Sequence, residues 1–580
     1  MAYATESVRP GGRASTLPND QGTPAWLDRT IAAVDQNWRW ALAILMLADA
    51  VLLLYMGRGL SFFYDDWNFV TEDYGGGLHS LLVAHVGNIS IFPVALYKIL
   101  FHVVGLDHYA VFRLVVVILH LSCGAFVYVL AARRVARVPA LLAAALILFL
   151  GAAWEDLLWA FQVGYMLSVA GGLAAWVLLE RRGRWSDIAA MLCVIVAAGS
   201  SSLGIAVMAG VAVELGWARR WRSGWIVLVP GLLYALWYLG YGESQITENG
   251  LINAPGFAAD LAAAAFGGLV GRALEWGRPL AVVGALLVLR RLARPLPVSA
   301  RLAGLLATGF SLWVITAVAR STVSEPETSR YIYLGAVVIV LTGVELLRDV
   351  VITPRSTAVA TLLVAFCAIT GLTLLHAGAV GLRSNSEVVT AELGALELAA
   401  AHAPPDYQPD PTRAPQILAG PYLHTVRAIG STPADTAGEI IAAKPIGRAA
   451  ADSVLVALGD PQLAPLGTSK PSVLAPAPAI PALTSGVSIQ RGGCIELTPT
   501  RGASMVATLV LPRGGVAISD HGSGLVSLGL RRFGEPFDPL QATVAPHGAD
   551  KLSFSADSAP VPWQLQLGTT SMVAVCGLMP

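Results

Sequence analysis

The chain is a succession of apolar runs divided by short polar breaks. A run of about 20 apolar residues can cross a bilayer. The pattern predicts crossings over residues 40–56, 109–132, 139–153, 161–179, 188–199, 203–215, 225–241, 279–289, 302–318, 331–347 and 357–380, about eleven in all. Residues 257–274 form a further helical stretch that either spans or lies on the surface. Residues 1–37 are polar and read as a cytoplasmic tail, too long for the basic region of a secretory signal. After residue 381 the pattern changes. Residues 383–403 predict an amphipathic helix, and 404–485 are rich in Pro and Ala, with ordered pieces at 416–429 and 450–458. From 487 onward short β-rich runs alternate with Gly, Pro and Asp, the pattern of an all-β sandwich. The expected fold is an α-helical polytopic membrane protein with an exported C-terminal all-β sandwich. Its domains are a tail (1–37), a transmembrane domain (38–381), a connecting region (382–485) and the sandwich (486–580).

Composition sharpens this picture. Hydrophobic residues make up 55% of the 580 and charged residues 13%, with a mean hydropathy of +0.64; soluble domains carry about 25% charged residues. The formal net charge is zero, so bulk electrostatics gives no case for nucleic acid. Basic residues are nearly all Arg, which with abundant Ala, Val and Gly suggests a GC-rich bacterial genome. They cluster at 133–137, 181–184, 219–222, 290–301 and 348–355, which are alternate loops. The positive-inside rule assigns these loops to the cytoplasm. The loops at 61–108, 154–160, 200–202, 242–255 and 321–330 then face outward, and everything after 381 is exported. This places the chain in a bacterial inner membrane with its N-terminus inside. Trp67, Tyr109, Trp154, Trp159, Tyr241, Trp276 and Tyr331, at the ends of the runs, read as an interfacial aromatic belt, and Tyr333 reads with them.

The first outward loop carries the main candidate chemistry. Asp65 and Asp66, in Tyr64-Asp65-Asp66-Trp67, directly follow the first apolar run and sit at headgroup depth. Adjacent carboxylates raise one another's pKa, which suits one of them for general-base work. Their bland rival is a solvated turn or a helix N-cap. Segments 79–84 and 92–104 of the same loop predict short surface helices. Glu155, Asp156 and Gln162 form a second outward polar group, suited to binding substrate or capping a helix. Arg320 and Arg330 bracket another outward loop; guanidinium groups match phosphate oxygens, and pairing with Glu325 or Glu327 is the competing reading. His85 is a further candidate substrate contact, set against simple solvation. Of five cysteines, Cys123, Cys193 and Cys367 lie in apolar runs. Cys494 and Cys576 fall in the first and last β-runs, where an oxidising exterior favours a disulfide. No Cys/His spacing typical of a metal site occurs, no cofactor is fixed by these residues, and a divalent cation is left open.

The Tyr64-Asp65-Asp66-Trp67 motif after the first span resembles the GT-C superfamily of integral membrane glycosyltransferases. So do the long first external loop with surface helices, the late Arg330-Tyr-Ile-Tyr333 segment and the exported C-terminal domain. The resemblance covers residues 35–380 as architecture and only a handful as motif. It implies a polyprenyl-phosphate-linked sugar as donor. The acceptor would be an extracytoplasmic glycan, lipid or protein, and Asp65 or Asp66 the base. Relatives with Asp-Glu or Asp-x-Asp leave open which of the two acts. Two other classes compete: a transporter or flippase of a lipid-linked glycan, and a non-catalytic envelope assembly protein. A transporter expects charges at mid-membrane depth, whereas most charges here fall at the ends of the runs.

Overall fold

The computed structural model describes residues 24–85, 87–466, 475–534 and 536–579. Most of the expected tail, residues 1–23, lies outside them, as does part of the Pro/Ala-rich region. The chain forms two compact units. The first holds the residues up to Arg58, Leu78–Leu96 and Phe112–Ala379; the second holds Gly59–Gly77, Tyr97–Val111 and Val380–Pro580. Two pieces of the long first loop therefore cluster with the C-terminal region, although they are adjacent in sequence to the apolar runs.

The protein is a multi-pass membrane protein. Among the described residues, eight helices are long and apolar enough to cross a bilayer: Trp38–Met56, Tyr109–Ala131, Arg137–Leu158, Ala160–Leu179, Trp221–Tyr241, Ala300–Arg320, Ser329–Leu347 and Pro354–Leu398. Glu248–Leu269 and Leu274–Leu292, bent by 101° at their junction, make a ninth if counted as one span. The difference from eleven has a geometric cause. The runs at 188–199 and 203–215 sit on helices Arg184–Ser200 and Leu203–Trp217, of 17 and 15 residues. At 1.5 Å per residue these reach only about 25 Å and 22 Å, against a hydrocarbon core of about 30 Å. Ser201, in extended conformation, breaks the helix between them. The run at 279–289 is one arm of the bent pair.

Large apolar side chains such as Ile44, Leu47, Leu228, Leu232, Leu286 and Leu362 are exposed, as a lipid-facing surface requires. Inside the first unit small residues let helices approach closely. Leu203–Trp217 lies so near Ala300–Arg320 that a Cβ on Gly210 would fall 2.8 Å from the Gly304 carbonyl oxygen and closer still to Thr308 Oγ1. The basic loops are drawn together by carboxylates. Glu180 is bonded by Arg133 and Arg134, Arg134 also reaches Glu345 at 2.7 Å, and Arg301 forks onto both oxygens of Glu214 at 2.9 and 3.0 Å. Three features depart from the sequence reading. Trp159 and Tyr331 are buried rather than interfacial; Tyr333 is buried and hydrogen-bonded; and Asp49, His120 and Arg113 are buried within the first unit, away from the basic loops. Of the proposed belt, Trp276 is 64% exposed, as an interfacial residue should be. Packing around a broken helix, described below, accounts for the buried members.

In the second unit, helices Ala419–Ile429, Ala437–Ala442 and Pro445–Gly459 precede most of the strands. The strands are β1 (Gln462–Pro465), β2 (Ala479–Thr484), β3 (Gly486–Arg491), β4 (Cys494–Pro499), β5 (Met505–Val510), β6 (Val516–Asp520), β7 (Ser527–Arg531), β8 (Asp538–Pro539), β9 (Ala549–Ser553), β10 (Gln564–Thr569) and β11 (Val573–Gly577). They form two antiparallel sheets, ordered β1-β9-β6-β11-β4-β3 and β2-β5-β10-β7-β8. Alternate residues of β10 (Leu565, Leu567, Thr569) are buried, the period of a strand with one core-facing side. Cys494 and Cys576 are directly opposed on β4 and β11 and are disulfide-bonded. Trp563 and Phe533 are buried in this unit.

Asp452, on the Pro445–Gly459 helix, is fully buried. Its carboxylate accepts the backbone N–H groups of Arg532, Phe533 and Gly534 at 2.7–3.1 Å, tying helix to sheet. Replacing it by Ala orphans three buried donors at once. Asp452→Ala is expected to destabilise this unit by about 3 kcal/mol, read as faster amide exchange at residues 532–534 in the full-length protein.

Candidate functional site

The first unit is interrupted where an outward loop was expected. The Arg137–Leu148 helix ends at Phe149 and is followed by short turns at Gly151–Ala153, Trp154–Leu158 and Ala160–Gln162 before the Val163–Leu179 helix. Gly151 is needed here: a Cβ would lie 2.0 Å from the Gly371 carbonyl oxygen. The broken stretch is buried rather than exposed, and it carries Glu155, Asp156 and Gln162 inward. Such a break at membrane depth survives only where protein or a polar cavity satisfies its backbone.

The turn Ser329–Tyr331 supplies that satisfaction. Ser329 Oγ donates to the Ala152 carbonyl at 2.8 Å and accepts the Glu155 N–H at 3.1 Å. The Arg330 N–H donates to Glu155 Oε2 at 2.9 Å, and its guanidinium lies 3.5 Å from Glu155 Oε1. Arg330 is therefore partnered by Glu155, from a distant part of the sequence; the sequence reading had offered Glu325 or Glu327. Asp156 is fully buried, and neither carboxylate oxygen meets a hydrogen-bond donor among the described residues; Gln162 Oε1 is in the same position. Buried acceptors of this kind call for donors from elsewhere.

Two cavities open in the same unit. One, of about 300 Å³, is lined by Asn88, Tyr165, Ser202, Glu243, Arg320 and Tyr331, among others. All of these but Tyr165 come from or adjoin four loops that the charge pattern assigns to one side of the membrane. The other, of about 400 Å³, is almost wholly apolar, with Ile91, Phe92, Leu233 and Trp237 in its wall. Tyr234 lines both. His85 is buried and bridges to Asn88 through backbone bonds in both directions; Asn88 in turn accepts the Ser202 hydroxyl. No pattern along the chain singles out Tyr165, Ser202 or Tyr234, since isolated polar residues in or beside apolar runs have no periodicity of their own.

In the second unit, Asp65 and Asp66 part company. Asp66 is fully buried. Its oxygens accept the Phe63 N–H at 2.9 Å, the Tyr97 hydroxyl at 2.5 Å and the Tyr109 hydroxyl at 3.1 Å. Burial, and then the charge of Asp66, hold the Tyr97 phenol well above its usual range, so it stays a donor. Phe62, packed on Trp67, Phe101 and Tyr109, seals this anchor; Trp67 and Tyr109 are accordingly buried rather than interfacial. Asp65 is partly exposed, with the Gln416 amide 3.5 Å from Oδ1. It follows Tyr64, whose φ of +45° is strained for a residue bearing a Cβ, and such strain gathers at functional turns. A cavity of about 730 Å³ lies alongside, lined by Ser61, Asp107, His108, Tyr109, Asp435 and Lys444, among others. Burial, followed by the nearby Glu439 and Glu387 charges, raises the Asp435 carboxyl above its usual range, against the pull of the Thr390 hydroxyl. Among the described residues, no three His, Cys, Asp or Glu side chains gather as metal ligands.

No protein-family model matches the sequence, and no curated protein matches it. Among solved structures, the chain is similar to the crystal structure of ArnT from Cupriavidus metallidurans bound to undecaprenyl phosphate. The identity is 14%, covering 66% of this chain and 84% of that one, with a TM-score of 0.43. At that distance no residue role is carried over.

The contrast between the two aspartates yields a test. Asp66→Asn trades one acceptor oxygen for an NH₂ donor, cannot serve all three donors and should loosen the turn, raising amide exchange at Phe63 by about tenfold or more. Asp65→Asn should leave that amide unchanged.

Proposed function

We propose that the chain is a cell-envelope glycosyltransferase that moves a sugar from a polyprenyl-phosphate donor to an extracytoplasmic glycan, lipid or protein. The observation that carries this reading is the pair of cavities sharing Tyr234: an apolar cleft sized for part of an isoprenoid chain, beside a chamber of mixed lining with Asn88, Glu243 and Arg320 in its wall. In this reading the isoprenoid lies in the cleft and Arg320, with Arg330 on the neighbouring turn, holds the donor phosphate. Asp156 and Gln162, whose carboxylate and amide oxygens meet no donor among the described residues, take sugar hydroxyls. His85 serves through the backbone of Asn88 rather than as a ligand.

Asp65 is the base and Asp66 its anchor, because Asp65 is the accessible member of the pair. Asp65 takes the proton of the acceptor hydroxyl; that oxygen attacks the anomeric carbon; the bond from that carbon to the phosphate oxygen breaks, and the phosphate leaves with the electron pair. One displacement inverts the anomeric centre. The N-terminus lies in the cytoplasm of a bacterial cell and the C-terminal unit outside it, in keeping with the basic loops.

A transport reading gains one observation, the buried Asp49–His120 pair with 3.1 Å between Nε2 and Oδ2. It expects lipid-linked glycan to cross vesicle membranes with no sugar transferred.

Asp65→Asn is expected to cut sugar transfer by about 10²–10⁴-fold while lipid-phosphate binding persists. Arg320→Ala should weaken that binding. Full transfer activity in Asp65→Asn would refute the assignment.

A further inference from the structure

His120 stands at a crossing the mechanism above does not use. It is fully buried on the Tyr109–Ala131 helix. Nε2 lies 3.1 Å from the Leu148 carbonyl oxygen and Nδ1 lies 2.7 Å from the Tyr333 hydroxyl. A carbonyl can only accept, so Nε2 carries a proton, and Nδ1 shares a hydrogen bond with the Tyr333 hydroxyl. The Asp49 carboxylate, 3.1 Å from Nε2, favours that proton.

The two partners are not arbitrary. Leu148 is the last residue of the helix before the break that carries Glu155, Asp156 and Gln162. Tyr333 lies on the first turn of the helix that follows Ser329–Tyr331, three residues beyond Arg330. One imidazole thus ties the acidic stretch to the arginine stretch, and Tyr331 of the second stretch also lines the cavity that holds Arg320 in its wall. The direct bonds between the stretches, Ser329 to Ala152 and Arg330 to Glu155, lie beyond Leu148 and before Tyr333.

We propose that His120 is a positioning residue: through Leu148 and Tyr333 it sets the register of the Arg330 turn against the Glu155 stretch, and so the affinity of the site for a lipid-borne phosphate. Asp49 acts behind it by favouring the proton on Nε2. This rests on the reading of Arg320 and Arg330 as the phosphate-binding cations. A wholly different polar pair at position 120 serves only if it keeps one donor and one acceptor.

The test uses the full-length protein in nanodiscs of zwitterionic lipid, with farnesyl phosphate as probe. His120→Ala should weaken binding about tenfold, and His120→Gln, which retains a donor and an acceptor, should recover most of it. In an Arg330→Ala background His120→Ala should add little, because an effect passing through Arg330 is not additive with its loss. In transfer assays the KM for donor should rise more than kcat falls. Should His120→Ala fail to fold, Tyr333→Phe, which deletes one hydroxyl, replaces it in the same cycle. If Arg330→Ala weakens binding while the His120 and Tyr333 variants do nothing, or multiply with it in full, the positioning role is overturned and the functional reading stands. If neither Arg320→Ala nor Arg330→Ala alters binding, the functional reading falls and the inference falls with it.

Discussion

An apolar medium tolerates no unsatisfied polar group, and that constraint organises the membrane unit. Its helices turn leucines and isoleucines to lipid and keep charge for places where charge is answered. Glu180 meets two arginines from one loop, Arg301 forks onto Glu214, and Arg113 spends its guanidinium on the Leu53 and Leu158 carbonyls. The broken stretch between Leu148 and Val163 obeys the same rule. Its backbone is held by Ser329 and its carboxylate by Arg330. The rule is relaxed among the described residues at Asp156 and Gln162, and also at Trp176, Trp313 and Thr342, whose buried polar atoms meet no hydrogen-bond partner there.

The same economy separates two neighbouring aspartates in the second unit. One carboxylate is consumed by three donors and sealed under aromatic rings, which makes it a fixed part of the turn. The other stands partly exposed after a residue with positive φ. An adjacent pair of identical side chains thereby acquires two roles from environment alone, the usual way a protein divides labour between carboxylates.

Much of the architecture was legible before any coordinates. Hydropathy identified the membrane helices, because bilayer crossing demands length and apolarity and both are local properties. It overcounted at Arg184–Ser200 and Leu203–Trp217, which are shorter than the other crossings, and it read as a straight crossing the run at 279–289, which is one arm of a bent pair. The change of period at residue 487 announced strands, and two antiparallel sheets are there, with β1 and β2 coming from the stretch before it. Aromatic residues at run ends were harder. Trp67, Trp159 and Tyr331 carry the same sequence signature as Trp276, yet they are buried while Trp276 faces outward. A belt and a packed turn look alike in one dimension.

What the amino-acid order determined by itself, then, is the class of molecule, the alternation of basic loops and the presence of acids beside an apolar run. These follow from composition within windows of about 20 residues, the length of chain that a bilayer samples. Only the tertiary structure decided that Arg330 answers Glu155, that His120 joins Leu148 to Tyr333, and that Asp66 is anchored while Asp65 is accessible. The physical reason is range. Hydrophobic period is written along the chain, whereas a buried hydrogen bond between residues 175 or 213 positions apart exists only once the helices between them have packed.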